Sequence, residues 1–259
     1  MPDDIPFDKS FNLAPGKVEE VMPGLRRLVA NNPGPFTFKG TMTYIVGRGE
    51  VAVIDPGPDD ARHVAAILDA VRGETERLDA GGDQAFRPDV ALADGAVVSG
   101  RGFTFEAVAT PGHTANHMAF AYKEAQVLLS GDHVMAWSTT VVAPPDGAMS
   151  DYMASLEKLG RRNEQIYFPG HGEKVRDAPR FVAACIRHRQ GREASILHRL
   201  EKGAADIPTI VRAVYIGLDP RLTGAAGLSV LAHLEDLVAR GVVATDGPAS
   251  IAGTYRRVG

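Results

Sequence analysis

The residues best suited to chemistry lie in three short turns. Thr110-Pro111-Gly112-His113-Thr114-Ala115-Asn116-His117 follows one apolar run, Leu129-Ser130-Gly131-Asp132-His133 closes another, and Pro169-Gly170-His171-Gly172 follows a third. Each is a Gly-bounded turn at the end of a strand-like segment, where a rigid sheet can bring ligands from distant parts of a chain to one point. Zinc prefers imidazole and carboxylate ligands, and a carboxylate can bridge two ions. A lone histidine in a turn is more often an ordinary hydrogen-bonding residue. Three ligand-bearing turns of the same build are hard to ascribe to turn propensity. The expectation is that His113, Asp132 and His171 converge on a metal.

The elements that must aim these turns can be read around them. Gly24 to Ala30, Thr41 to Val46 and the apolar Val51-Ala52-Val53-Ile54 read as strands. The last ends in Asp55-Pro56-Gly57-Pro58, after which Asp59-Asp60 can cap a helix from about Ala61 to Val71, with Val64, Ile67, Leu68 and Val71 as its apolar stripe. A strand, turn and helix are half of a βαβ unit, so a second strand is due after Gly73. No apolar run of strand length follows between Gly73 and Val90. Strands resume at Ala96–Ser99, Phe103–Val108, Met118–Tyr122 and Val127–Leu129, a helix capped by Ser150 runs to Leu159, and Gln165–Phe168 leads into the His171 turn. Beyond Ala178 come a long helix to about Lys202 with arginines along one side, a helix from Ile207 to Tyr215, a third from about Ala225 to Arg240, and a short hairpin. That order is the order of a winged-helix module.

Composition narrows the field. The chain has 259 residues, 44% hydrophobic, which suffices for a full core and an appended module. A net charge of −4 gives no general reason to expect nucleic-acid or membrane binding, and no apolar run nears membrane-spanning length. A single cysteine, Cys185, excludes an intrachain disulfide and suits a reducing compartment. Residues 1–20 read as a polar arm without a signal-peptide profile, so a cytoplasmic location is expected.

Val53-Ile54-Asp55-Pro56-Gly57, Thr110-Pro111-Gly112-His113-Thr114, Gly131-Asp132-His133 and Pro169-Gly170-His171-Gly172 resemble, in order and spacing, the first, third, fourth and fifth motifs of the metallo-β-lactamase superfamily. The resemblance implies an α/β fold, an αββα sandwich over residues 1–177, with a small winged-helix-like domain over 178–259 similar to that of a branch containing endoribonucleases. It implies that His113 binds a first zinc, Asp132 bridges, and His171 binds a second. Asp55 would be a structural carboxylate beneath the site, and His117 and His133 would support the ligands from behind, although a core histidine is the plainer reading of His117. His63, His188, His198 and His233 lie on helix patterns and read as ordinary. Met135 and Trp137 either line the pocket or pack a turn.

The departure is the second motif. His-x-His-x-Asp-His occurs nowhere in these 259 residues. A βα unit, strand and ligand loop together, reads as missing near residues 73–79, either lost from the protein or left out of the numbered chain. With a full site the resemblance implies one or two zinc ions and a zinc-generated hydroxide attacking an ester, thioester, lactone or phosphodiester. Without the motif, three residues hold at most one ion, weakly. The competing expectation is a catalytically impaired relative that binds RNA or a protein. Small-molecule and nucleic-acid substrates both stay open, the basic helix favouring an anion. The C-terminal module would cap the cleft or support a homodimer.

Overall fold

The computed structural model describes residues 5–78 and 89–259. Two sheets lie face to face with helices on their outer sides. The first sheet runs in chain order: β1 (Glu19–Met22), β2 (Leu25–Val29), β3 (Met42–Arg48), β4 (Glu50–Ile54) and β5 (Thr75–Leu78). The second holds β6 (Val97–Gly100), β7 (Phe103–Ala109), β8 (Met118–Tyr122), β9 (Val127–Gly131), β10 (Ile166–Pro169) and β11 (Val175–Arg176), each beside the next. Strand alternation divides the side chains between layers. Met42, Tyr44 and Val46 of β3 meet Phe103, Phe105, Leu129 and Phe168 between the sheets, while Ile45 turns outward to Ile67 of α1 (Ala61–Ala70) and to Val71 at its C-terminal cap. On the far side, α2 (Met149–Gly160) and the first half of α3 (Ala178–Leu200) cover the second sheet through Tyr152, Leu156, Phe181 and Val182. This is the αββα sandwich.

Several local expectations are corrected. A strand does follow Gly73: β5 pairs in parallel with β4, from Glu50↔Thr75 to Val53↔Leu78. Its sequence, Thr-Glu-Arg-Leu, escapes a search for apolar runs because it holds a single apolar residue, and among the described strands β5 is the last of its sheet. What is absent is therefore not strand and ligand loop together; the strand is present and the ligand string is not. The rest of the stretch, residues 79–88, lies outside the described residues. Asp60 caps α1, accepting from the N–H groups of Arg62 and His63, but α2 begins one residue before the expected Ser150, with Ala148 at its cap and no side-chain cap bond. On α1 the buried positions are His63 and Ile67, with Val71 at the C-terminal cap, whereas Val64 and Leu68 are 42% and 51% exposed, because the helix rests on one sheet only. The N-terminal arm is anchored, with Ile5 and Phe11 buried and residues 19–22 forming β1.

The C-terminal part packs α4 (Ile207–Val214) and α5 (Thr223–Ala239) with the second half of α3 against a small sheet of β12 (Ala205–Asp206), β14 (Thr254–Arg257) and β13 (Val243–Thr245). Ile196, Ile210, Val230, Leu234 and Tyr255 form its core. Helix α3 thus serves both cores, Phe181 to Cys185 in one and Ile196 to Leu200 in the other. Pro220–Ala239, the turn leading into α5 and α5 itself, is long and apolar enough to cross a membrane by length and composition, contrary to expectation. Its apolar residues include the Val230 and Leu234 of the module's core.

Candidate metal centre

Strand direction explains why the three turns meet. β7 and β9 are each antiparallel to β8, and β9 is parallel to β10, so the turns carrying His113, Asp132 and His171 leave the same edge of the second sheet. Pro169 pairs with Gly131, and the Gly170 N–H donates to the Gly131 carbonyl at 2.9 Å, setting Asp132 and His171 side by side. The Met42 N–H donates to the Gly170 carbonyl at 2.8 Å and ties the first sheet to this edge.

The side chains converge. His113 Nε2 lies 3.8 Å from Asp132 Oδ2 and His171 Nε2 lies 3.4 Å from Asp132 Oδ1. Each imidazole is oriented from behind: His113 Nδ1 contacts the Val141 carbonyl at 2.6 Å and His171 Nδ1 the Gly40 carbonyl at 3.1 Å. A carbonyl only accepts, so both Nδ1 atoms carry hydrogen, and in the neutral rings both Nε2 lone pairs face the carboxylate. Oδ1 of Asp132 is buried without a hydrogen-bond partner among the described residues. Lone pairs turned on an anion repel one another unless a cation or a proton lies between them. Two ligands about 2.1 Å from a tetrahedral zinc stand about 3.4 Å apart, so the His171–Oδ1 spacing suits a shared ion. Among the described residues, however, no group of three His, Cys, Asp or Glu is gathered closely enough to form a complete cradle. The three residues fit an ion as a partial ligand set.

The charge state follows from the same contacts. Burial opposes protonation of His171, but the Asp132 carboxylate, the Gly40 carbonyl and nearby Asp55 outweigh it and raise its pKa. Burial would likewise raise Asp132, yet His171, His113 and His117 hold it below the ordinary carboxylate range. Asp55, at the end of β4 with φ 53°, is pushed to about 6 by burial and then by the Asp132 charge. Its carbonyl accepts from Thr43 Oγ1 at 2.7 Å, and that hydroxyl also meets His63 Nε2 at 2.9 Å. His63 is therefore a buried part of the floor beneath the site, which its helix pattern gave no means of finding.

The remaining residues support rather than face the centre. His117 accepts the Asp132 N–H on Nε2 at 3.1 Å and contacts Thr110 Oγ1 through Nδ1 at 2.8 Å. Burial lowers its pKa to about 4, so it stays neutral and keeps that lone pair. His133 differs: fully buried beside Tyr152, it has no hydrogen-bond partner at either ring nitrogen among the described residues, and burial keeps it neutral. Trp137 stacks on Phe38 at 4.9 Å and Met135 is buried. The basic side of α3 is not uniformly solvated, since Arg189 is buried under the Asp132 turn.

Residues 63–171 match the model of the metallo-beta-lactamase superfamily, and residues 207–250 that of the beta-lactamase associated winged helix domain. The atrochrysone carboxyl ACP thioesterase of Aspergillus fumigatus is 30% identical, over 71% of this chain and 67% of its own length. This chain belongs to the metallo-beta-lactamase superfamily. The lactamase-like protein adaB of Aspergillus niger is 26% identical over 78% of this chain and 76% of its own. That pairing is 252 positions long yet takes in only 78% of these 259 residues, so several dozen positions of the superfamily relative have no counterpart here. The fold is shared with a beta-lactamase domain protein from Burkholderia ambifaria (TM-score 0.78, 18% identity, 96% of each chain) and a metallo-beta-lactamase family protein from Thermus thermophilus (TM-score 0.76, 20% identity, 92% of this chain and 100% of that one).

Proposed function

We propose that this protein is a thioester or ester hydrolase that works with a single divalent cation, zinc by preference, held by His113, Asp132 and His171. The observation that carries the reading is the pair of imidazole Nε2 atoms turned on one carboxylate, each with its Nδ1 engaged by a backbone carbonyl. A bound zinc supplies a Lewis acid that polarises a carbonyl and acidifies water. The chain's own contribution is orientation and proton handling. Val141 and Gly40 keep the two rings in the ligating tautomer, His117 holds the Asp132 backbone, and Asp55, with its pKa near 6, is placed to take or hold a proton at its carboxylate close to neutral pH. The thioester class is favoured because the thioesterase named above is a relative along most of the chain. A phosphodiester substrate has only the basic residues of α3 behind it.

A second reading rests on one specific observation, the absence of His-x-His-x-Asp-His from the whole sequence. On that reading the protein carries no working metal and acts as an RNA- or protein-binding module through its C-terminal part. Elemental analysis of purified protein, with thiol release from a short acyl-thioester, separates the two. Zinc near one per chain, with turnover lost in His113→Ala, is the expected result. Protein that takes up no zinc at micromolar supply and releases no thiol overturns the hydrolase reading in favour of the second.

A further inference from the structure

Arg189 lies in the middle of α3, is 4% exposed, and none of the ion pairs among the described residues includes it. A buried guanidinium without a carboxylate needs compensation by hydrogen bonds and aromatic faces. Here its Nη2 donates to the Thr140 carbonyl, Nη1 donates to Ser229 Oγ of α5 at 3.5 Å, and its plane lies 5.1 Å from the Tyr152 ring centre. Thr140 is the junction that matters. Its hydroxyl donates to the Asp132 carbonyl at 2.7 Å and the His133 carbonyl at 3.0 Å, and the next residue, Val141, presents the carbonyl that fixes His113 Nδ1. Tyr152, under the guanidinium, donates its own hydroxyl to the His133 carbonyl at 3.1 Å.

From this chain of contacts we infer that Arg189 is a positioning residue through which the C-terminal module sets the orientation of His113 and Asp132. The inference rests on the metal reading above only for its effect on affinity; the effect on the His113 ring holds in metal-free protein as well. Arg189 grips the segment 140–141 from one side, Ser229 holds Arg189 from α5, and the two ligands hang from that segment by one hydrogen bond each. Without the guanidinium, Val141 and Thr140 lose their fixed position and both ligands lose their backing. Groups bonded directly to a ligand are worth about 10- to 100-fold in metal affinity, and Arg189, one contact further back, is worth up to about 10-fold.

The test compares Arg189→Met, Arg189→Lys and Ser229→Ala with the unaltered protein. Cobalt(II) titration followed by its visible spectrum reads metal affinity, and long-range proton–nitrogen NMR of metal-free protein reads the His113 tautomer and its Nδ1–H bond. Arg189→Met is expected to weaken cobalt binding by up to about 10-fold and to shift the His113 ring nitrogens toward solvent-exposed values. Arg189→Lys should recover part of both effects, because an ammonium still reaches one acceptor. Ser229→Ala should move the same signals in the same direction by less. If Arg189→Met does not fold, the latter two variants decide. Folded variants with unchanged His113 resonances overturn the inference. Unaltered protein that binds no cobalt sinks the metal reading alone, since the NMR comparison stands without it.

Discussion

His233 is a buried base with nowhere to put a proton. It sits on α5, is 1% exposed, and neither ring nitrogen has a hydrogen-bond partner among the described residues. Burial, and then the charges of Arg189, Arg192, His188 and Arg240, lower its pKa to about 3. In the unfolded chain the same imidazole takes its proton near 6.5. Between those values the unfolded state holds more protons, so stability is complete above about 6.5 and is lost as pH falls toward 3. The loss is about 1.4 kcal/mol for each pH unit, or about 2 kcal/mol by pH 5. His233→Leu keeps a similar volume and removes the titration. Urea unfolding of metal-free protein at pH 7.5 and pH 5 should therefore show the acid-induced loss reduced by about 2 kcal/mol in the variant. His117 and His133 titrate in both proteins and cancel in the comparison. Equal losses in the two proteins would refute the reasoning, because they would mean that His233 takes up its proton in the folded chain.

Three further outcomes follow from the packing. A Cβ on Gly170 would stand 2.7 Å from Asp132 Oδ1, so Gly170→Ala should swing that carboxylate away and lower zinc affinity at least about 10-fold, at a folding cost of about 1 kcal/mol; competition with a chromophoric chelator measures the first and urea unfolding the second. Tyr152→Phe removes the hydroxyl that donates to the His133 carbonyl while keeping the ring beneath Arg189, and should cost about 1 kcal/mol in urea. Leu234→Ala, at a fully buried site in the C-terminal core, should cost about 3 kcal/mol; because α3 belongs to both cores, far-UV and near-UV signals should still change together, and two separate transitions would count against that coupling.

Much of the sandwich was legible because its strands alternate or run apolar between Gly- and Pro-bounded turns, and the winged-helix order was legible from three helical periods and a hairpin. The convergence of His113, Asp132 and His171 could be anticipated because each follows a strand. The burial of the supporting groups could not. His63 and His233 occupy helix positions whose spacing is equally compatible with a solvated face, and Arg189 stands in a row of arginines that reads as a basic surface. Which of them is covered depends on how α1 lies on the first sheet and how α3 and α5 meet, properties of tertiary contact rather than of local pattern. β5 escaped for another reason: it holds a single apolar residue, so its pairing with β4 is visible only in space.

The remaining question at the centre is whether one ion can use all three ligands. Two imidazoles and one carboxylate are the protein ligand number of many catalytic zinc sites, which keep a fourth position open. In this chain the two rings face different carboxylate oxygens, His171 toward Oδ1 and His113 toward Oδ2, so as they stand they outline two half-sites with one imidazole each. Sharing one cation requires the two Nε2 atoms to come within about 4.2 Å of each other, twice a zinc–nitrogen bond, so the rings as well as the Asp132 carboxylate must shift. A cation that gains a second imidazole is held far better than one bound by a single ring and one oxygen, so the shared arrangement should win at substoichiometric zinc. X-ray absorption at the zinc edge, on protein loaded to half an equivalent, should then show two imidazoles per ion, falling to one in His171→Ala. One imidazole in the unaltered protein would mean that the half-sites act separately, and that ligand number rather than ligand placement limits this centre.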